Sequence, residues 1–179
     1  METKRLIVRE FTADDADDVA RAFADPAVIW WDEAPFTLEA ARAWVARSLE
    51  RYALTGIGLY AVVLRAGGRL IGDCGLVAQV IEGTPAVEIG WHLEKDSWGH
   101  GYATEAARGV LTHAAAIGLG RVCSLIVPDN VRSRRVARKL GMETDREIEW
   151  AGRAHELWTL DLGGVPRATM SLPPHDQGR

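Results

Sequence analysis

The chain has 179 residues, 47% hydrophobic and 26% charged, with a net charge of -4, enough for one sizeable core but with little length for a second domain. The acidic balance and the lack of a long basic run argue against a nucleic-acid partner, and no apolar run approaches the roughly 18 residues of a membrane span. The opening METKRLIVRE lacks the apolar centre of a secretory signal, which points to the cytoplasm, and Cys74 and Cys123, far apart, predict free thiols and no metal site.

In chain order, RLIVREF alternates like a strand, and TADDADDVARAFAD follows as a helix with Thr12 as its cap and Pro26 closing it. Beyond the aromatic and acidic connector VIWWDEAPF, a second helix is expected from about Thr37 to Leu54, with Leu38, Ala41, Val45 and Leu49 on one face. GLYAVVLRAGGRLIGDCGLVAQV reads as a hairpin around Gly67-Gly68, and AVEIGWHL as a third strand from Ala86 to Leu93. A long alanine-rich helix from about Tyr102 to Ile117 is followed by the apolar strand RVCSLIV. Next comes a basic helix, VRSRRVARKL, capped by Asn130 and stopped at Gly141. Two strands, Glu143 to Trp150 and His155 to Asp161, are expected to pair across AGRA. From Gly163 onward prolines and glycines appear without periodicity, so residues 1–162 are expected to form the domain and 163–179 a flexible tail. Trp44, Trp150 and Trp158 fall at helix or strand positions and are expected in the core.

The order β α α β β β α β α β β is a mixed α/β single domain. Its βαβ unit over residues 86–127 places the stretch DSWGHGYATEAARG at the carboxyl end of a strand, the edge at which open α/β sheets bind ligands. Glycines in Gly99-His100-Gly101-Tyr102-Ala103-Thr104 let successive N–H groups point outward at the positive end of a helix, which makes a phosphate cradle. A Walker loop would need a lysine here, and a dinucleotide fold a third glycine and a later acidic residue; neither is present. The alternative is a tight strand-to-helix turn that binds nothing.

VEIGWHLEKDSWGHGYATEA followed by PDNVRSRRVARKLGM resembles the Gcn5-related N-acetyltransferase (GNAT) superfamily, most closely its RimJ/RimL-like branch, over nearly the whole chain. The resemblance implies a mostly antiparallel mixed sheet with a splayed central parallel strand pair and flanking helices. It also implies acetyl-CoA as acyl donor. Residues Trp98 to Thr104 match the pyrophosphate signature, with Trp98 where Gln or Arg is usual, and the backbone of Trp91, His92 and Leu93 matches the strand that pairs with the pantetheine arm. Asn130 and Ser133 match the family's Asn-x-x-Ser pattern, the serine lying near the thioester sulfur. Ala137 stands where many relatives carry a tyrosine acid, which leaves Ser133 as the candidate acid, and Arg138 is the candidate for the 3'-phosphate end.

Glu88, a carboxylate on an otherwise apolar strand, is the candidate general base, with a structural carboxylate as the alternative. A backbone N–H near Trp91 is the candidate oxyanion donor. Trp30, Trp31, Asp32 and Glu33 in the connector are expected to line an amine-bearing acceptor, either a protein N-terminus or a small molecule, or else to serve an oligomer contact such as a homodimer. The rivals to an enzyme are a non-catalytic acyl-CoA sensor and a structural module.

Overall fold

The computed structural model describes residues 1–29 and 36–163, so Trp30, Trp31, Asp32 and Glu33, and nearly all of the expected tail, lie outside the described residues. Seven strands, β1 (Leu6–Arg9), β2 (Leu59–Leu64), β3 (Leu70–Ile81), β4 (Thr84–Leu93), β5 (Arg121–Ile126), β6 (Glu143–Trp150) and β7 (Arg153–Asp161), form one sheet in the order β1-β2-β3-β4-β5-β7-β6. Every neighbouring pair is antiparallel except β4 and β5. The helices are α1 (Ala16–Ala22), α2 (Leu38–Thr55), α3 (Tyr102–Ala116) and α4 (Val131–Leu140).

Alternation along β2 divides the interior into two layers, as period-2 geometry requires. Tyr60 and Val62 pack with Ala106, Val110 and Ala137 of α3 and α4, whereas Leu59, Ala61 and Val63 pack with Val19, Ala41 and Val45 of α1 and α2. The helices therefore cover both faces of the sheet, and the binding edge lies between them.

The expected element order holds, with two local differences. The first helix is shortened: Ala13–Asp15 is a 3-10 turn, and α1 starts at Ala16. There the Asp15 N–H donates to the Thr12 carbonyl at 3.1 Å, three residues back, while its Oδ2 takes the Thr12 N–H at 2.7 Å and Arg9 grips both carboxylate oxygens at 2.8 Å. The last hairpin turns on two residues, Ala151 (φ 49°) and Gly152 (φ 73°), so Arg153 and Ala154 join the strand rather than the loop. Among the described residues no helix is long and apolar enough to cross a membrane.

Candidate functional site

The splay at the centre of the sheet creates the site. β4 and β5 are joined at a single register pair, Glu88 opposite Cys123, and beyond it the strands diverge. Parity along β4 decides what the gap exposes. The Glu94 N–H donates to Ile71 on the β3 side, and His92 lies opposite Asp73 in the same ladder, so the polar backbone of Trp91 and Leu93 faces the opposite edge, toward β5. The Leu93 carbonyl on that edge is taken by the Trp98 indole N–H at 2.7 Å. The gap opens into a cleft of about 2750 Å³ that reaches α2 on one side and α4 on the other.

At the carboxyl end of β4 the chain makes a 3-10 turn (Lys95–Ser97) before α3. Buried Glu94 holds it, gripped by Arg21 at 2.8 Å and Arg69 at 2.7 Å and accepting from Ser97 at 2.9 Å. Gly99 and Gly101 then adopt φ of +81° and +80°, the left-handed region where a side chain would strain the backbone. No acceptor among the described residues takes the amide hydrogens of residues 99–104, which lie at the start of a 15-residue helix. A Cβ on Gly99 would meet nothing within 4 Å, and one on Gly101 only the Arg5 guanidinium at 3.7 Å. The turn is an open cradle of donors at a helix N-terminus, and a diphosphate fits it.

The cradle is braced from the segment just before β1. Glu105 accepts from Thr3 Oγ1 at 2.7 Å and from the Arg5 amide and Nε at 2.8 and 2.6 Å, and the Arg5 Nη1 donates to the His100 carbonyl at 3.0 Å. Burial alone would push the Glu105 carboxyl up, but these hydrogen bonds hold it below the usual carboxylate range. His100 bonds the Trp98 carbonyl through Nδ1 and stacks on Tyr102. Trp98 carries the Arg132 guanidinium 4.4 Å above its ring, so a cation from α4 stands where the signature usually places a polar side chain.

Across the cleft, Asn130 caps α4 by accepting the Ser133 N–H at 3.0 Å. Ser133 Oγ accepts the Trp91 indole N–H at 3.3 Å, which leaves its own hydrogen free to be donated. Ala137 is fully buried beneath the sheet. Arg138 does not line the cleft; its guanidinium lies 5.6 Å from the Trp158 ring centre, and Arg132, Arg135 and Lys139 are the cations of α4 that face the opening. Trp158 is in the core as expected, and Trp44 and Trp150, half-buried, pack against the core as expected while also lining the cleft.

Glu88 lies where the strands part. Its Oε1 accepts the Leu125 N–H at 3.3 Å, standing in for the lost strand pairing, and its Oε2 accepts from Gln79 at 3.0 Å. Burial pushes this carboxyl up, against the pull of those two donors. Neither thiol competes as a nucleophile: burial raises Cys74 well above its ordinary range and takes Cys123 to about 12.

Sequence reasoning missed a group on the α2 side. Asp73, fully buried on β3, accepts from His92 Nδ1 at 2.7 Å and from the Trp44 indole at 2.8 Å. His92 figured in the sequence only through its backbone. Asp73 gave no signal, because register rather than spacing joins the two.

The acetyltransferase (GNAT) domain family matches residues 5–143. The chain is 33% identical over 145 residues to the uncharacterized N-acetyltransferase YnaD of Bacillus subtilis (strain 168), covering 80% of this chain and 82% of that protein. A GNAT-family acetyltransferase structure from Bacillus anthracis superposes with a TM-score of 0.75 at 25% identity, covering 90% and 98% of the two chains. RimL, a ribosomal L7/L12 alpha-N-protein acetyltransferase solved in complex with coenzyme A, shares the fold with a TM-score of 0.76 at 17% identity, over 89% and 95% of the chains.

Proposed function

This chain belongs to the GNAT acetyltransferase family, and we propose that it is an N-acetyltransferase of the RimJ/RimL-like kind that moves an acetyl group from acetyl-CoA to a primary amine by direct attack on the thioester. The acceptor is a protein N-terminus or a small amine, and residues 1–162 form the cytoplasmic domain that carries out the reaction. The observation that carries this reading is the cradle of unclaimed amides at residues 99–104, set beside the open edge of β4. The bound coenzyme would supply the activated acetyl group.

The chain's own residues divide the remaining work. The amides of residues 99–104, with Arg132 above Trp98, would hold the diphosphate, and the backbone of Trp91 and the Leu93 N–H, on the edge turned toward β5, would pair with the amide-rich arm. Glu88 takes a proton from the acceptor ammonium, directly or through water, because only the neutral amine has a lone pair to attack with. Its raised pKa suits that task. The Trp91 N–H faces the oxygen on which charge develops. Ser133, whose Oγ accepts the Trp91 indole N–H, turns its own O–H as a hydrogen bond toward the departing sulfur, which leaves readily even without the tyrosine that Ala137 replaces. Trp31 and its acidic neighbours would complete the acceptor wall.

The test is direct. Acetyl-CoA at about 100 times its Kd should raise the melting temperature by several degrees, in line with roughly 2.7 kcal/mol of linkage. Thiol release across a panel of primary amines should then exceed thioester hydrolysis. Tight binding with no amine turned over would favour an acyl-CoA sensor instead.

A further inference from the structure

We infer that His92 is a second proton acceptor in the transfer, held in place by Asp73, an inference that rests on the amine-acetylation reading above. Asp73 and His92 are directly opposed in the β3–β4 ladder, so both side chains leave the sheet on the face covered by α1 and α2. Asp73 is 0% exposed, and among the described residues no lysine or arginine lies within ion-pair distance of it. A buried carboxylate served only by neutral N–H donors is costly, and the cost falls if a cation forms beside it. Of its two partners, Trp44 cannot become cationic and His92 can. The geometry therefore suits a histidine that is charged during the reaction.

The orientation fits the same role. With Asp73 Oδ1 on Nδ1–H, the imidazole tautomer is fixed and Nε2 is the basic nitrogen. The side chain is 22% exposed and lines the cleft, and the Phe23 and Trp44 rings meet it edge-on at 6.2 and 5.6 Å between centroids. Gly90 lies between Glu88 and His92 on the same face of β4, about 6.6 Å along the strand from each. A Cβ there would make ordinary van der Waals contact with Leu59 Cδ2 at 3.8 Å and His92 Cε1 at 3.9 Å. Gly90 lines the cleft, with the Glu88 carboxylate on one side of it along β4 and the His92 imidazole on the other. Among the described residues, the charged groups near the ring include Asp73 from β3 and Glu88 from β4.

Two acceptors match the proton balance. An ammonium R–NH3+ becomes an amide by losing two protons: a C–N bond forms, the C–S bond breaks, one proton ends on sulfur and the other goes to solvent. Glu88 takes the proton whose loss frees the lone pair and passes it on, through water, to the departing thiolate. His92 Nε2 takes the one that leaves nitrogen as the amide forms, and Asp73 stabilises the resulting imidazolium until it passes the proton to water. His92 is thereby a catalytic residue and Asp73 a positioning residue.

The experiment compares wild type with His92→Asn, His92→Gly and Asp73→Asn, following thiol release from acetyl-CoA with the amine panel. Asparagine at 92 keeps an N–H for Asp73 and lacks the second nitrogen. Its kcat is expected to fall about 100-fold, with KM for acetyl-CoA and melting temperature unchanged. Added imidazole is expected to restore part of the lost turnover in His92→Gly, a gain that a purely structural histidine would not show. Asp73→Asn should lower kcat more than it changes KM, with no gain from imidazole. Wild-type kcat in His92→Asn, or a His92→Gly protein that binds acetyl-CoA yet gains nothing from imidazole, overturns the inference while leaving amine acetylation standing. A wild-type protein that turns over no amine overturns both.

Discussion

Glu88 combines a local cost with a chemical use. Burial holds its carboxyl above the ordinary value, so the folded protein binds this proton more tightly than the unfolded chain. Its ionisation therefore destabilises the fold as pH rises from the ordinary carboxylate range through the raised value, and the full cost remains at neutral pH. Glu88→Gln should keep an acceptor for the Leu125 amide while removing that charge. We expect it to melt at or above the wild-type temperature at pH 7 and to lose between about 100-fold and 10,000-fold in turnover. A variant that melted lower with full activity would make Glu88 a structural carboxylate. The residue was legible in VEIGW because a charge on an apolar strand needs a reason. Its partners were not, because Gln79 and the Leu125 amide reach it through strand register and not through spacing.

At the scale of elements, the turn into α3 was the most readable feature, since two glycines before an alanine-rich helix specify both the bend and the outward amides. Its bracing was hidden, because Glu105 meets Thr3 and Arg5 across roughly a hundred residues of sequence. Gly101 adopts φ +80° as the N-cap of α3, and a β-branched side chain there is strained by about 1–2 kcal/mol. Gly101→Val should therefore lower the melting temperature by roughly 2–8 °C in a chain of this size. It should also weaken acetyl-CoA binding, measured by titration calorimetry, because the cradle loses its curvature. The first helix shows the opposite case: its propensity was correct, while its opening turn is 3-10 and is tied down by Asp15 through bonds to Arg9 and Thr12.

For the whole molecule, the titration of its anchoring carboxylates sets the response to acid. Burial alone would raise Asp15 and Glu105, but hydrogen bonds from Arg9 and Thr12, and from Thr3 and Arg5, hold both below their ordinary values. The stability they contribute is fully present above the ordinary carboxylate range and is lost as pH falls through their depressed folded values. Melting temperature should accordingly drop steeply below about pH 4, where these losses outweigh the gain from protonating Glu88, and Glu105→Gln should lower the neutral-pH value and soften the drop.

The sequence by itself determined the order of elements, the single domain, the glycine cradle and the carboxylate on β4, because periodicity, caps and turn residues act over a few neighbours. Tertiary structure alone decided that β4 and β5 part after one pair, that Arg132 and not Arg138 faces the cleft, that Trp44 bonds a buried carboxylate, and that Asp73 stands against His92. Each of those facts depends on strand register or helix rotation, which bring together side chains tens of residues apart and which no local pattern encodes.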